Sequence, residues 1–486
     1  MKQRFVFILG LSVLLILHGF GPHRFAQASE WPQVTLTAHD RILILAPHPD
    51  DEVIGCAGVI QKALRLKLPI RIVFFTYGDN NQWSFLVYRK HPVFFPKAVE
   101  NMGLKRRDEA IAAAKVFGLS ESRLTFLGYP DFGTMNIWYS RWGKRPPFRS
   151  FLTRARHVPY ASAFRPGAPY KGEEILKDLK TIVSEFRPTK IFVSHPTDHN
   201  GDHRALYLFL RVALWDLEGM IKPQIYPYLI HVVGWPKTQR HQTEILEPPD
   251  PLKFEMQWQT SALNLHEVAK KFMALQAHKS QYQSSKKYLD LFIRPNELFG
   301  DFPDVYLQFG NPHRDLSSKG SQKTIETPEE LTDIERASFV GVEWRYVWLE
   351  DHHLVISIRL SRPLAKGMEA SMYIFGYRPD CPFGQMPKLH IRAGVLDYSV
   401  FDQNRRLPQE TIKIVRLPNE ITVHVPLEIL GNPKKILTSA KTYLSDIPLD
   451  WLSWRILNLP EAETNFSQDN SSNNMSINST HAVPAH

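Results

Sequence analysis

Between Arg41 and about Trp235, strand-like and helix-like runs alternate, and this predicts an α/β domain built on a mostly parallel sheet with helices on both faces. From about Glu335 to Leu457 the runs become short and β-rich with turn residues between them, which predicts an antiparallel β-sandwich following the α/β domain. The polar stretch "RDLSSKGSQKTIETPEEL", Arg314 to Leu331, reads as the linker between them. A chain of 486 residues is too long for one ordinary core, so two domains plus tails is the natural division. The expected boundaries are a leader at 1–28, the α/β domain at 29–313, the linker at 314–332, the sandwich at 333–460 and a disordered tail at 461–486.

The elements follow in order. "RILILAP" is short, apolar and closed by proline, as a buried strand should be. "DEVIGCAGVIQKALRLKL" has helical spacing, with acidic residues at its start that suit the helix dipole. "IRIVFFTYG", Ile70 to Gly78, is the next strand, and the helix "RRDEAIAAAKVFGL" stops at the C-cap Gly118. "RLTFLGY" follows as a strand and "GEEILKDLKTIVSEFRP" as an amphipathic helix ended by Pro188. "KIFVSHP", Lys190 to Pro196, is a further strand, and "LIHVVGWP", Leu229 to Pro236, would extend the sheet. One helix, "SALNLHEVAKKFMALQAHKSQYQS", closes the unit. The segment Asn136 to Tyr170, rich in Arg, Pro and aromatics, is long for a loop and is expected to shape substrate choice.

At the N-terminus Lys2 and Arg4 precede the apolar "FVFILGLSVLLIL", and "AQA" at 26–28 supplies a small-residue cleavage site. That pattern predicts a secretory signal peptide, since the apolar run is shorter than the ~20 residues of a bilayer span. The expected location is periplasmic or extracellular, with an uncleaved membrane anchor as the alternative. No later stretch is apolar and long enough to span, so no transmembrane segment is expected in the mature chain. Hydrophobic content of 43% and charged content of 22% are those of a soluble globular protein. The two cysteines, Cys56 and Cys381, fall in different domains, so no disulfide is expected between them. A net charge of +10 fits a basic exported protein associated with an anionic envelope. No zinc-finger spacing or basic helix points to nucleic acid.

The chemistry concentrates at two strand ends. "RILILAPHPDDE" places His48, Asp50, Asp51 and Glu52 directly after a buried strand and before a helix, where ligands of open α/β sheets bind. "KIFVSHPTDHNGDHRAL" supplies His195, Asp198, His199, Asp202 and His203 at another strand end. Imidazole and carboxylate ligands suit zinc, and a catalytic zinc keeps three protein ligands and one open position.

These motifs resemble those of the LmbE-like/PIG-L family of zinc-dependent de-N-acetylases. "APHPDDE" resembles its A-H-P-D-D-E-like motif, and "GDHRAL" the end of its second motif. The resemblance, which covers roughly Arg41 to Phe299, implies a Rossmann-like sheet and a zinc ion bound by His48, Asp51 and His203, with Asp50 as the general base. "RRDE" and "GYPDFG" are similar to further family motifs and imply substrate contacts for Arg106 and Asp131. "KKFMALQAHKSQ" resembles the late K-x-x-A-x-x-x-H-x-S-Q helix and implies a structural role for His278. One position departs from the pattern. Asn200 stands where better-matched members carry an oxyanion-supporting His, which leaves His199, Asn200 and His231 as candidates for that role.

The function so implied is an exported zinc-dependent hydrolase that removes the acetyl group from an N-acetylated amino sugar. The alternatives are a catalytically weakened carbohydrate-binding protein on the same fold, or another zinc amidase. The sandwich is either a carbohydrate-binding module, with Trp344, Trp348, Trp451 and Trp454 stacking on sugar, or a domain whose tryptophans are core.

Overall fold

The computed structural model describes residues 31–80, 95–238, 244–316, 332–445 and 447–460. The expected signal peptide at 1–28, the tail at 461–486 and most of the expected linker lie outside the described residues.

The first half is built on five parallel strands. They are β1 (Ile42–Ala46), β2 (Ile70–Thr76), β3 (Leu124–Tyr129), β4 (Lys190–Ser194) and β5 (Gln224–Tyr228), in the order β3-β2-β1-β4-β5. β1 is central, pairing Ile42 with both Ile70 and Lys190. All five of its residues are buried, as an unbroken apolar run covered on both faces must be. Each such Ile or Leu contributes about 1.5–3 kcal/mol.

The helices that cover the sheet are α1 (Asp51–Arg65), α2 (Pro96–Phe117), α3 (Thr134–Ser140), α4 (Gly172–Phe186), α5 (Gly201–Asp216), α6 (Leu265–Ala277) and α7 (Lys279–Leu289). A two-stranded antiparallel pair, β6 (Gln257–Ala262) with β7 (Asn296–Asp301), packs beside them. The α/β class read from the alternation is the observed one.

Two elements differ from expectation. The fifth strand is Gln224–Tyr228 rather than Leu229–Pro236. Beyond Tyr228 the backbone N–H groups of Ile230 and His231 donate to the Asp198 carboxylate, at 3.1 and 2.9 Å, and leave the sheet. The single closing helix is a strand and two helices. Asn264 and Glu267 form a reciprocal capping box that starts α6 late, and His278 (ψ 62°) breaks α6 from α7.

The second half is a sandwich of two sheets. Its strands are β8 (Val305–Tyr306), β9 (His313–Leu316), β10 (Val342–Glu350), β11 (His353–Leu360), β12 (Met368–Tyr377), β13 (Lys388–Ala393), β14 (Tyr398–Asp402), β15 (Arg405–Leu407), β16 (Lys413–Leu417), β17 (Glu420–Pro426), β18 (Lys435–Leu444) and β19 (Ile447–Asn458). A short helix, α8 (Asp333–Ala337), precedes β10. The sheet orders are β16-β17-β11-β10-β9 and β15-β14-β13-β12-β18-β19-β8, antiparallel except where β8 joins β19. β8, which precedes the expected boundary at 313/314, and β9, which spans it, therefore both belong to sandwich sheets.

The two halves share a core. Trp138 of α3 lies 5.6 Å from Phe375, 5.4 Å from Phe383 and 5.9 Å from Trp454, ring to ring. Trp454 is 2% exposed, so of the two readings of that tryptophan the structure gives core packing. Both cysteines are free. Among the described residues no helix is long and apolar enough to cross a membrane.

Candidate functional site

The loop between β1 and α1 is set by its own polar groups. The His48 amide donates to Asp51 Oδ2 at 2.8 Å, and the Asp50 amide to Glu52 Oε2 at 2.9 Å. Asp50 takes φ 134°, a value that side-chain-bearing residues rarely adopt. Such strain persists only where the surroundings over-determine it. Here they do. Arg106 donates to the carbonyls of Pro49 (2.7 Å) and Gly78 (2.9 Å) and stands 3.4 Å from Asp50 Oδ1. Gly78 has φ 64° and lies so close to the Arg106 guanidinium that a Cβ there would collide with it.

Further buried pairs brace this loop from below. His278 Nε2 lies 2.9 Å from Glu52 Oε1. Ser280 donates from both its amide and its hydroxyl to Glu109 of α2, at 3.0 and 2.6 Å. Lys271 Nζ donates to Ile54 O at 2.7 Å and to Glu297 at 3.0 Å, and Glu297 in turn accepts from the Gly58 amide at 2.9 Å. The late-helix motif is thus a set of struts under α1.

His48, Asp51 and His203 bring one donor atom each to within 4.8 Å of one another. Asp51 Oδ2 is 3.3 Å from His48 Nδ1 and 3.2 Å from His203 Nε2. The other nitrogen of His203 faces Asp198 Oδ2 at 3.2 Å. Neither imidazole nitrogen of His203 makes a hydrogen bond of good geometry, although the ring is fully buried. A buried ring in that state, converging with a carboxylate and a second imidazole, fits a nitrogen-and-oxygen cation site. Asp198 orients the set from behind, since His231 Nδ1 also lies 3.0 Å from its Oδ1. His48 is oriented likewise, with Nε2 3.1 Å from Asp131 and 3.3 Å from Asp202. These contacts yield two overlapping groups that could also hold a cation, Asp198–His203–His231 and His48–Asp131–Asp202.

The electrostatics follow from burial and partners. Burial works against a charge on His48, yet the carboxylates of Asp131, Asp202 and Asp51 outweigh it and raise its pKa well above the ordinary value. His203 is lifted to about 9, against burial, by Asp198 and Asp51. Burial pushes Asp50 up to about 6, aided by Asp51 and opposed by Arg106 and His278. The carboxyl of Asp51 is driven below its usual range, against burial, by His203 and His48.

A cavity of about 370 Å³ opens over these groups. Its lining includes His48, Asp50, Asp51, Arg106, Asp131 and Asn200, together with His231 and Tyr288. Of the three oxyanion candidates, His231 and Asn200 face the cavity, and His199 does not line it. The His199 ring is exposed and meets Trp451 edge-on at 5.6 Å. The Asn200 side chain is occupied in part, because its Oδ1 caps α5 by accepting from the Asp202 amide. His195 is buried away from the cavity against Phe302. Arg106 and Asp131, expected at the substrate, are both buried in the cavity wall, Arg106 beneath the Asp50 loop and Asp131 against His48.

Phe132 was not singled out by its sequence. Its φ is 55°, its amide donates to Asp202 at 2.6 Å, and its ring stands 58% exposed on the cavity wall. The glycine that follows was the available signal for a tight turn there.

The fold and the donor set define a class: an α/β-sheet protein whose strand-end loops could hold one cation with imidazole and carboxylate ligands. Residues 43–214 match the family described as PIG-L: GlcNAc-PI de-N-acetylase, and that stretch is a PIG-L-family domain. No curated protein matches the chain. Among solved structures, the chain is similar to an N,N'-diacetylchitobiose deacetylase from Pyrococcus horikoshii, at 17% identity over 51% of this chain and 75% of that one, with a TM-score of 0.32. It is similar to the A40926 pseudoaglycone deacetylase Dbv21 at 17% identity over 54% and 96%, with a TM-score of 0.34. It is also similar to GalB, a 4-carboxy-2-hydroxymuconate hydratase from Pseudomonas putida, at 16% identity over 55% and 98%, with a TM-score of 0.33. Likenesses of this size, to deacetylases and a hydratase alike, decide no residue's role.

Proposed function

We propose that this protein hydrolyses the acetamide of an N-acetylated amino sugar, using a zinc ion held by His48, Asp51 and His203. The observation that carries the reading is the pairing of that donor set with Asp50, a carboxylate held in a strained conformation at the same cavity and bound to none of the three. The PIG-L-family match over 43–214 supports the same reaction class.

A bound zinc supplies Lewis-acid polarisation of the acetamide carbonyl and acidifies water at the site. Asp50 accepts the proton of the attacking water, a task suited to a carboxylate whose pKa burial has raised toward neutrality. His231 and the Asn200 amide face the cavity and donate to the developing oxyanion. As the C–N bond breaks, Asp50 returns the proton to the departing nitrogen. Acetate and a free amine are the products. Arg106 holds the Asp50 loop in place and Asp131 orients His48, so both act by positioning the machinery.

The export and envelope association expected from the N-terminus and the charge belong to the same proposal. The test is acetate release by the purified protein from N-acetylglucosamine-containing substrates, with and without a chelator. Release that a chelator does not diminish would overturn the zinc assignment. A protein with stoichiometric metal that releases no acetate from any such substrate would overturn the reaction.

A further inference from the structure

From Phe132 to Gly172 the sequence contains no Asp or Glu. The same stretch carries Arg141, Lys144, Arg145, Arg149, Arg154 and Arg156 within sixteen residues. None of these six makes an ion pair with a described residue, whereas Arg165, further along, is satisfied by Glu174 and Asp178.

The backbone folds this stretch back on itself and brings its basic residues toward one another. The Gly172 amide donates to Arg141 O at 3.0 Å, Phe148 to Tyr170 O at 2.9 Å, and Tyr170 to Arg156 O at 2.9 Å. The Ser150 amide closes a turn onto Ala155 O at 2.9 Å, which sets Arg149 beside Arg154. Lys144, Arg149, Arg154 and Arg156 are exposed. Two of the six act on Arg141, whose pKa is lowered by burial and then by Arg156 and Arg145. Unpaired like charges held this close repel one another, and an anion bound there would relieve that repulsion.

The segment is also fixed to the cavity's edge. The Phe148 ring packs onto Gly133, next to Phe132 of the cavity wall. The Tyr160 hydroxyl donates to Asp79, the neighbour of Asn80, which lines the cavity. A polymer whose reacting sugar occupies the cavity has this surface beside it.

We propose that residues 141–156 bind the acidic part of a polymeric substrate, a glycan that carries carboxylates along its chain next to its N-acetylated sugars. This rests on the deacetylase reading above and names the substrate class for that site. Five of the six cations are arginines, whose planar fork pairs bidentately with carboxylates. An anionic membrane is the rival partner, suggested by Phe151, which is 84% exposed. The segment forms no amphipathic helix between α3 and α4, which is what membrane-surface binding ordinarily uses.

The test compares hyaluronan oligosaccharides, in which N-acetylglucosamine alternates with a uronic acid, against chito-oligosaccharides of equal length. Direct binding is read by calorimetry on the full chain, and acetate release is read separately. The expected result is tighter binding of the acidic oligomer, weakening as salt is raised. The Arg145→Ser/Arg149→Ser/Arg156→Ser variant should reduce the acidic-to-neutral preference at least tenfold. If that variant misfolds by circular dichroism, Lys144→Ser/Arg149→Ser, at two exposed positions, should reduce it in the same direction. Wild-type protein that binds both oligomers equally would overturn the proposal. So would an unchanged preference in the variants, or charge-dependent binding to phosphatidylglycerol vesicles with none to hyaluronan. Charge-dependent hyaluronan binding without acetate release from either oligomer would retain the surface and remove the deacetylase reading.

Discussion

Lys271→Met removes a cation that is buried together with its partner. Lys271 Nζ sits 3.0 Å from Glu297 Oε1, and both side chains are 1% exposed. Methionine keeps most of the aliphatic stem, so the lost packing costs less than about 1.5 kcal/mol. The carboxylate left behind matters more, since an unpaired buried charge costs about 3–5 kcal/mol. Glu297 retains the amides of Gly58 at 2.9 Å and Val59 at 3.4 Å, which places the expected loss at the lower end of that range. In Lys271→Met/Glu297→Gln the charge is gone and an amide oxygen can still accept from Gly58, so the loss should fall to about 1 kcal/mol. The assay is urea unfolding followed by far-UV circular dichroism, which reports the helices of the α/β half. A single variant that loses less than about 1 kcal/mol, or a double variant that loses as much as the single, would refute the argument that charge burial dominates here.

Asp50→Asn should keep its metal and lose activity by a factor on the order of 10² to 10⁴, whereas Asp51→Asn should lose metal; elemental analysis beside acetate release reads the contrast, and the opposite pattern exchanges the two roles. Trp454→Ala should destabilise the protein by about 3–5 kcal/mol in thermal unfolding, because its ring is enclosed by Trp138 and Phe375; a loss under about 1 kcal/mol would mean the halves do not pack through it. Asp40 accepts from Thr37, Thr189 and Lys190, and although burial opposes its charge these partners bring its pKa down from 3.8 to about 2. A depressed acid stabilises the fold above its unfolded pKa and loses that contribution as pH falls through the folded one. Asp40→Asn should therefore be less stable than wild type at neutral pH, with the gap closing between pH 3.8 and about 2; a pH-independent gap would refute the linkage.

What could be read from the sequence is what local pattern controls. The five apolar residues of β1, the acidic start of α1 and Gly118 at the end of α2 each state their conformation in a few neighbours. Leu229–Pro236 misled because its apolar run is strand-like, whereas the amides of Ile230 and His231 are claimed by Asp198, about thirty residues upstream. That the loops after β1 and β4 would meet could be anticipated from strand-end topology, whereas the choice of His48, Asp51 and His203 among their polar residues comes from the resemblance to the PIG-L motifs. That Asn200 and His231 face the cavity and His199 does not could not be anticipated, because it depends on how that same carboxylate holds the loops after β4 and β5. The short strands β8 and β9 were invisible for a related reason, since their pairing partners lie far along the chain.

Trp451 and Ser453 stand on β19, the last strand of the described chain, and both reach back to the loop after β4. The Thr197 and Ser453 hydroxyls hydrogen-bond, and the Arg204 guanidinium lies 4.4 Å over the Trp451 ring while Nη1 donates to the carbonyls of Asp198 and His199. The consequence is one of timing. During synthesis the residues of the donor set emerge first, but the strand that buttresses their loop and seals Trp138 is made long after them. Contacts of such sequence separation form slowly. The nascent chain thus carries a half-finished hydrophobic face until β19 is released, and the loop after β4 gains these outer contacts only when that strand has arrived.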